Sequence, residues 1–316
     1  MLARLLRISY FFQLLVGVLI GTYFTKDCDP PLSTPNELVL ITATAITVPL
    51  FLQFLVILIS MLRARESGSL VNWWSAFVGE LQAAIIIYMF RQPWPEKNRG
   101  ILGPVATPEL DPMPRKLPVL LVHGYLCNHR VWDDAFSVLR VAGHPVSAVD
   151  LEPLFVSIDD YTSAIERAVQ QVLETCQTDR LVLVGHSMGG LAVRAWLRSR
   201  GSQPDRRVAR IVTLGSPHQG TRIANGSKTR NGTQMVWKSD WLQALAASES
   251  IEKRQLMHIA LTLQDNIVYP QQEQFLPGTQ VVHFDAMGHL QMCLHPRVLG
   301  WLVQAVDTKI RDGAIG

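Results

Sequence analysis

Two stretches near the N-terminus, residues 8–25 and 38–62, contain no charged side chain. No other feature of the chain narrows its folding options so sharply. At 1.5 Å per residue, a helix over either run crosses the ~30 Å hydrocarbon layer of a bilayer. The second run holds 16 Leu, Ile, Val or Phe residues. At roughly −0.4 kcal/mol each, they favour insertion by about 6 kcal/mol. Pro49 kinks that helix, which membrane helices tolerate because neighbouring groups satisfy the freed backbone. Arg4 and Arg7 precede the first run as the basic region of a signal peptide would. Its exit, Tyr23-Phe24-Thr25-Lys26, lacks a small-x-small cleavage site, so the run reads as an uncleaved anchor.

A third stretch, residues 71–90, is balanced. Its eight Leu, Ile, Val or Phe residues favour insertion by about 3–4 kcal/mol, and Glu80 near its centre cancels most of that at ~2.5–3 kcal/mol. Asn72 and Gln82 oppose insertion further. On a helical wheel we read Asn72, Ser75, Glu80 and Gln82 as one side, and Trp73, Trp74, Phe77, Leu81 and Tyr88 as the other. That pattern predicts a helix lying in the membrane interface, with a third span as the alternative. Arg4 and Arg7 direct the N-terminus to the cytoplasm. The 25–37 loop carries a single basic residue, Lys26, while Arg63 and Arg65 follow the second run. Arg91, Lys97 and Arg99 after the third stretch favour two spans. The expectation is an integral protein of a bacterial inner membrane, with the rest of the chain on the cytoplasmic rather than the periplasmic side.

The domain organisation follows. Residues 1–90 form the anchor, with helices about 8–25 and 38–62 and the 71–90 helix. Residues 91–116, with prolines at 93, 95, 104, 108, 112 and 114, form a semi-rigid linker. Residues 117–316 form a second domain. A net charge of +3 and the lack of any Lys/Arg-rich run exclude a nucleic-acid partner. Cysteines at 28, 127, 176 and 293 are too dispersed for a disulfide framework or a zinc site, and no cofactor or metal is called for.

From Leu117 onward, short continuous apolar runs alternate with helical patterns. Runs at 118–123, 145–149, 181–185, 208–214, 257–263 and 280–284 read as strands. Residues 159–176, 191–200 and 296–309 read as helices. Continuous apolar strands interleaved with helices predict an α/β class, with a mostly parallel sheet covered on both faces.

The segment Gly185-His186-Ser187-Met188-Gly189-Gly190 joins a strand to a helix. It is G-x-S-x-G in the context that the motif needs. The turn is strained, and side chains at Gly185 and Gly189 would clash with the neighbouring strand and helix. The elbow presents Ser187 at a helix N-terminus, where the dipole favours negative charge. A serine hydroxyl needs a base, and on such a sheet the chain order is Ser, acid, His. Asp265 in a strand-end loop is the first candidate acid, ahead of Asp285 and Asp240. His289, between the last strand and the last helix, is the first candidate base, ahead of His283 and His295. An oxyanion would be met by the backbone N–H of Met188 and by that of Tyr125, in the loop that Gly124 lets turn closely.

From about 117 to 305 the chain resembles α/β-hydrolases of the bacterial lipase and esterase type. The matching blocks are LLVHGY (120–125), GHSMGG (185–190), TLGSPHQGT (213–221), QDNIVYP (264–270) and GHL (288–290). The resemblance implies the α/β-hydrolase fold and a carboxylic-ester hydrolase with Ser187, Asp265 and His289 as triad. It makes His218 a structural or pocket residue and the insertion at about 216–256 a cap. With the hydrophobic front, the expected substrate is a lipid or a small apolar ester. The same triad in an acyltransferase, thioesterase or amidase is the alternative; a non-catalytic membrane scaffold is a lesser one. For the topology, a cytoplasm-active reporter fused near residue 105 is expected to work, and activity of a periplasm-only reporter there would refute two spans.

Overall fold

A computed structural model of the chain describes residues 1–28, 31–66, 68–96, 102–103, 116–201 and 203–307. Its centre is a sheet in which β1 (Val119–Val122), β2 (Val146–Val149), β3 (Leu181–His186), β4 (Val208–Leu214), β5 (Met257–Thr262) and β6 (Gln280–Phe284) lie in the order β2-β1-β3-β4-β5-β6. Every pairing is parallel. The apolar runs expected to be strands are thus all strands. Alternate side chains serve two different cores. Leu120, Val122, Leu181 and Leu183 pack with α5 (Thr162–Cys176) and α6 (Met188–Ser199). Val119, Leu121, Val182 and Val184 pack on the opposite face, with α4 (Asp133–Val141) and α10 (Pro296–Asp307).

Helix α4 was not anticipated. Its buried residues are only Ala135, Phe136 and Leu139 among charged neighbours, too short an apolar stripe to stand out as periodicity. Most of the expected linker, 97–101 and 104–115, lies outside the described residues. Within it, Leu102 exchanges backbone hydrogen bonds of 3.0 Å with Val146. The expected cap is well packed. It contains α7 (Arg230–Gln234), α8 (Asp240–Ala247) and α9 (Ile251–Gln255), with Asn231, Leu242, Leu245 and Lys253 buried.

At the front, α1 (Leu2–Lys26), α2 (Thr34–Arg63) and α3 (Leu70–Ala84), the last continuing as a π-helical turn over Ile85–Arg91, provide three helices long and apolar enough to cross a membrane. Helices α1 and α2 touch through Gly17 and Gly21. A Cβ on Gly17 would lie 2.5 Å from Ala45 Cα, and one on Gly21 2.7 Å from Ile41 Cα, so glycine is what lets the backbones approach. Phe11, Leu19, Phe24, Val39, Phe51 and Val56 remain exposed on these two helices.

Helix α3 corrects the wheel reading. Trp73, Ala76, Phe77, Glu80, Ala83, Ala84 and Ile87 form one buried stripe, while Trp74, Val78 and Phe90 are exposed. Glu80 follows Trp73 by seven residues, nearly two whole turns, so the two share a face. The stripe packs into the sheet's second core. Ile57 and Met61 of α2 and Trp73, Phe77 and Ile87 belong to the same apolar cluster as Val182, Val212 and Leu302.

One buried ion pair ties the cap to helix α6. Arg194 of α6, fully buried, meets Glu249 bidentately at 2.6 and 3.0 Å and also donates to the His218 carbonyl at 3.3 Å. Glu249→Ala strands that guanidinium. It is expected to lower unfolding stability by about 3–5 kcal/mol, read as a large fall in thermal midpoint of the purified chain; an unchanged midpoint would refute this role.

Candidate active site

Ser187 stands between the last residue of β3 and the first of α6, with φ +53° and ψ −129°. That conformation stores roughly 1–3 kcal/mol of strain in a non-glycine residue and persists only if its surroundings enforce it. They do so by close contact. The Ser187 N–H donates to the Leu214 carbonyl on β4 at 2.9 Å. A Cβ on Gly185 would lie 2.6 Å from the Gly190 backbone, and one on Gly189 would strike the Val122 and His123 carbonyls. Met188 is the first residue of α6, so its N–H has no intrahelical acceptor. Gly124 backs directly onto the serine; a Cβ there would lie 2.7 Å from Ser187 Cβ and 3.3 Å from its Oγ. Tyr125 follows it and lines the same cavity as Ser187. His123 braces this loop, its Nε2 accepting the Leu151 N–H at 2.9 Å.

Asp265 and His289 meet across the edge of the sheet. Asp265 Oδ2 lies 2.8 Å from His289 Nδ1. Its Oδ1 accepts the N–H groups of Ile267 and Val268 at 2.9 and 2.7 Å, which fixes the carboxylate's orientation. Both side chains are buried. Burial alone would lower the His289 pKa, but the charge and hydrogen bond of Asp265, with the Glu80 carboxylate beyond, reverse this and leave it raised. His186 lies beside it, ring centroids 4.6 Å apart, and its pKa falls well below normal through burial and the proximity of His289. The surroundings therefore favour the charged form of one imidazole and the neutral form of its neighbour.

The other candidates are elsewhere. Asp285 pairs on the surface with Arg297 at 3.2 Å, Asp240 is an exposed first residue of α8, and His283 is exposed on β6. His295 Nδ1 accepts the Arg297 N–H at 3.2 Å at the start of α10. His218 is buried between Thr213 Oγ1 at 2.9 Å and Arg194 Nη1 at 3.3 Å. Burial and the Arg194 charge push its pKa well down.

Ser187, His289 and Tyr125 open on one cavity of about 550 Å³. Among the described residues Ser187 Oγ has no hydrogen-bond partner; such bonds often tighten only when substrate is present. The cavity's other walls include Met235 and Ile223 from the cap, Val268 after Asp265, Ile57 and Ser60 from α2, and Glu80 from α3. Cys127 also lines it, its thiol pushed up to about 11 by burial and therefore unreactive.

Several residues here went unseen in the sequence. Asn266 Nδ2 donates to Ser60 Oγ of α2 at 2.9 Å, while its Oδ1 accepts the His289 N–H at 3.2 Å. Gln271 Nε2 donates to the Ala64 and Asp265 carbonyls at 2.9 and 2.8 Å. Glu80 of α3 accepts two N–H groups from the turn after His289. Only Glu80 left a signal: an ionisable residue within an apolar run marks function by default.

Residues 154–287 match the family model of the PGAP1-like alpha/beta domain. Among solved structures, the Bacillus licheniformis lipase BlEst2 in its propeptide form aligns with a TM-score of 0.51 at 15% identity, over 65% of this chain and 53% of that one. The chain thus spans about half the length of that relative. The mature form of the same lipase gives 0.49 at 15% identity, over 65% of this chain and 98% of that one. Aspergillus fumigatus lipase B gives 0.49 at 15% identity, over 60% and 52%. No curated protein sequence matches the chain. With the parallel sheet and the elbow, the family match and the likeness to the propeptide form of the lipase identify the fold as that of the α/β-hydrolases.

Gly124→Ala tests the contact behind the serine. It is expected to slow labelling of Ser187 by a fluorophosphonate about 10²-fold, through displacement of the serine or of the Tyr125 donor, with little change in thermal midpoint. Labelling at the wild-type rate would refute the tight fit.

Proposed function

We propose that this protein is a membrane-anchored serine hydrolase that cleaves carboxylic esters of lipid-like or other apolar acyl substrates. One observation carries the reading: Ser187 and His289, the latter held by Asp265, open on a single largely apolar cavity, one wall of which is helix α2. An acyl chain fits such a wall, because its transfer from water gains ~0.8 kcal/mol per buried CH₂.

In the proposed reaction Ser187 Oγ attacks the acyl carbonyl carbon while His289 Nε2 takes the hydroxyl proton. Asp265 holds the Nδ1–H tautomer and stabilises the imidazolium. The oxyanion is met by the Met188 and Tyr125 N–H groups, each donor worth about 10²–10³ in turnover. His289 returns its proton to the departing alkoxide, leaving an acyl-enzyme. Water then attacks that ester, gives its proton to His289, and releases the carboxylic acid as the Ser187 hydroxyl is restored. The base must be neutral at the outset. Since its pKa is raised, turnover rises with pH through a value above the ordinary ~6.5 of imidazole.

The charge pattern supports a hydrolase domain on the cytoplasmic side of an inner membrane, with α1 and α2 as spans. The exposed apolar faces of these helices support anchoring by insertion rather than by charge.

A fluorophosphonate is expected to label the wild-type chain in native membranes and to leave Ser187→Ala unlabelled. A fatty acid released by wild type and absent with Ser187→Ala would identify the acyl group. Persistent labelling of Ser187→Ala would overturn the nucleophile, and transfer to an added alcohol without acid release would favour an acyltransferase.

A further inference from the structure

We propose that Glu80, on helix α3 and far in sequence from the strands, is a positioning residue that holds the loop bearing His289 by accepting the backbone N–H groups of Leu290 and Gln291. This rests on the hydrolase reading, with His289 as base.

The geometry begins at a short 3₁₀ turn, Leu290–Cys293, whose N-cap residue is His289 itself. The first N–H groups of any such turn lack partners within it, and the side chain at the N-cap ordinarily supplies one. His289 cannot, because its Nδ1 is engaged with Asp265. Glu80 supplies both acceptors from another helix: Oε1 takes the Leu290 N–H at 3.0 Å and Oε2 takes the Gln291 N–H at 3.0 Å. The preceding residue makes room for it, since a Cβ on Gly288 would lie 2.5 Å from Glu80 Oε2. The His289 N–H goes to Asn266, itself tethered to Ser60 of α2. Three successive N–H groups around the base are thus held by side chains, two by α3 directly and one through α2.

The placement of the carboxylate argues for function over simple packing. Glu80 is fully buried in a stripe of Trp73, Phe77 and Ala83, where an apolar residue would pack without desolvating a charge. It also faces the base electrostatically. The titratable groups around it are His289, Asp265 after β5, His186 at the end of β3 beyond the base, Tyr88 on the same helix and Cys293 in the turn. Burial pushes the Glu80 carboxyl up to about 7, and in its ionised form it adds to Asp265 in raising His289.

The test uses the full chain in detergent or nanodiscs, hydrolysing a p-nitrophenyl ester. Glu80→Gln retains size but offers one acceptor and no charge. It is expected to lower kcat roughly 10- to 100-fold, the scale of small misplacements of a reacting group, with KM within about 2-fold, as for an interaction made only in the transition state. The acid limb of kcat/KM should move to lower pH, because a carboxylate that raised the base is gone. Glu80→Asp keeps the charge and withdraws it, so kcat should fall while the limb stays near its place. Wild-type kcat and an unmoved limb in Glu80→Gln would overturn the proposal. So would a loss of activity that only tracks the loss of folded protein. If Glu80→Gln fails to fold, Glu80→Asp decides, wild-type kcat there overturning it. In the wild type, unprotected amide exchange at Leu290 and Gln291 would overturn it independently. Ser187→Ala in parallel separates the two readings: activity retained there defeats the hydrolase itself, whereas its loss beside a wild-type-like Glu80→Gln defeats only the role of Glu80.

Discussion

A parallel sheet of continuous apolar strands must be covered on both faces, because each strand turns apolar side chains both ways. Here one face is covered by α5 and α6 and the other by α4 and α10, together with residues of α2 and α3. The N-terminal helices therefore share a core with the sheet. The loops after β3, β5 and β6 emerge at the sheet edge where ligands of such folds gather. Helices α2 and α3 meet them there, so the same burial that completes the core brings Ser60 and Glu80 to the loops of Asp265 and His289.

Two imidazoles side by side show which electrostatic effect wins. Both His186 and His289 are fully buried, which disfavours the charged form of each. His289 has a carboxylate at 2.8 Å and a second one beyond it, and its pKa rises. His186 is buried with the His289 carbonyl oxygen at 3.3 Å and neighbours that can become positive, and its pKa falls. At His289 desolvation is the largest single effect, and only the charge and hydrogen bond of Asp265 together with the Glu80 charge outweigh it; at His186, with no such carboxylate, desolvation rules.

The legibility of the fold followed the range of each signal. Strand positions were readable because each strand is a run of adjacent apolar residues, and the Ser187 elbow because its glycines and serine are neighbours in sequence. Helix α6 starts three residues earlier than periodicity suggested, since the turn at Ser187 passes straight into it. Helix α4 was invisible because its core-facing residues are few and separated by charge. The choice of Asp265 over Asp285 could be made from loop position, but its hydrogen bonds to Ile267 and Val268 could not. Glu80 was misread because it was grouped by polarity with Asn72 and Gln82, although its angle matches Trp73. Asn266, Ser60 and Gln271 carried no signal, for each acts on a backbone or side-chain group far off in sequence.

The sequence by itself determined the local matters: two uncharged runs fit to cross a bilayer, six apolar strands alternating with helices, and a serine in a glycine-bounded elbow. Each depends on residues within a few positions of one another. Tertiary structure decided how the two halves meet: which face of α3 is buried, which carboxylate reaches His289, and that α2 forms a wall of the cavity. Those contacts join residues more than two hundred positions apart, such as Ser60 with Asn266 and Glu80 with Leu290. They arise from covering the second face of the sheet, a requirement of the assembled chain that no short segment records.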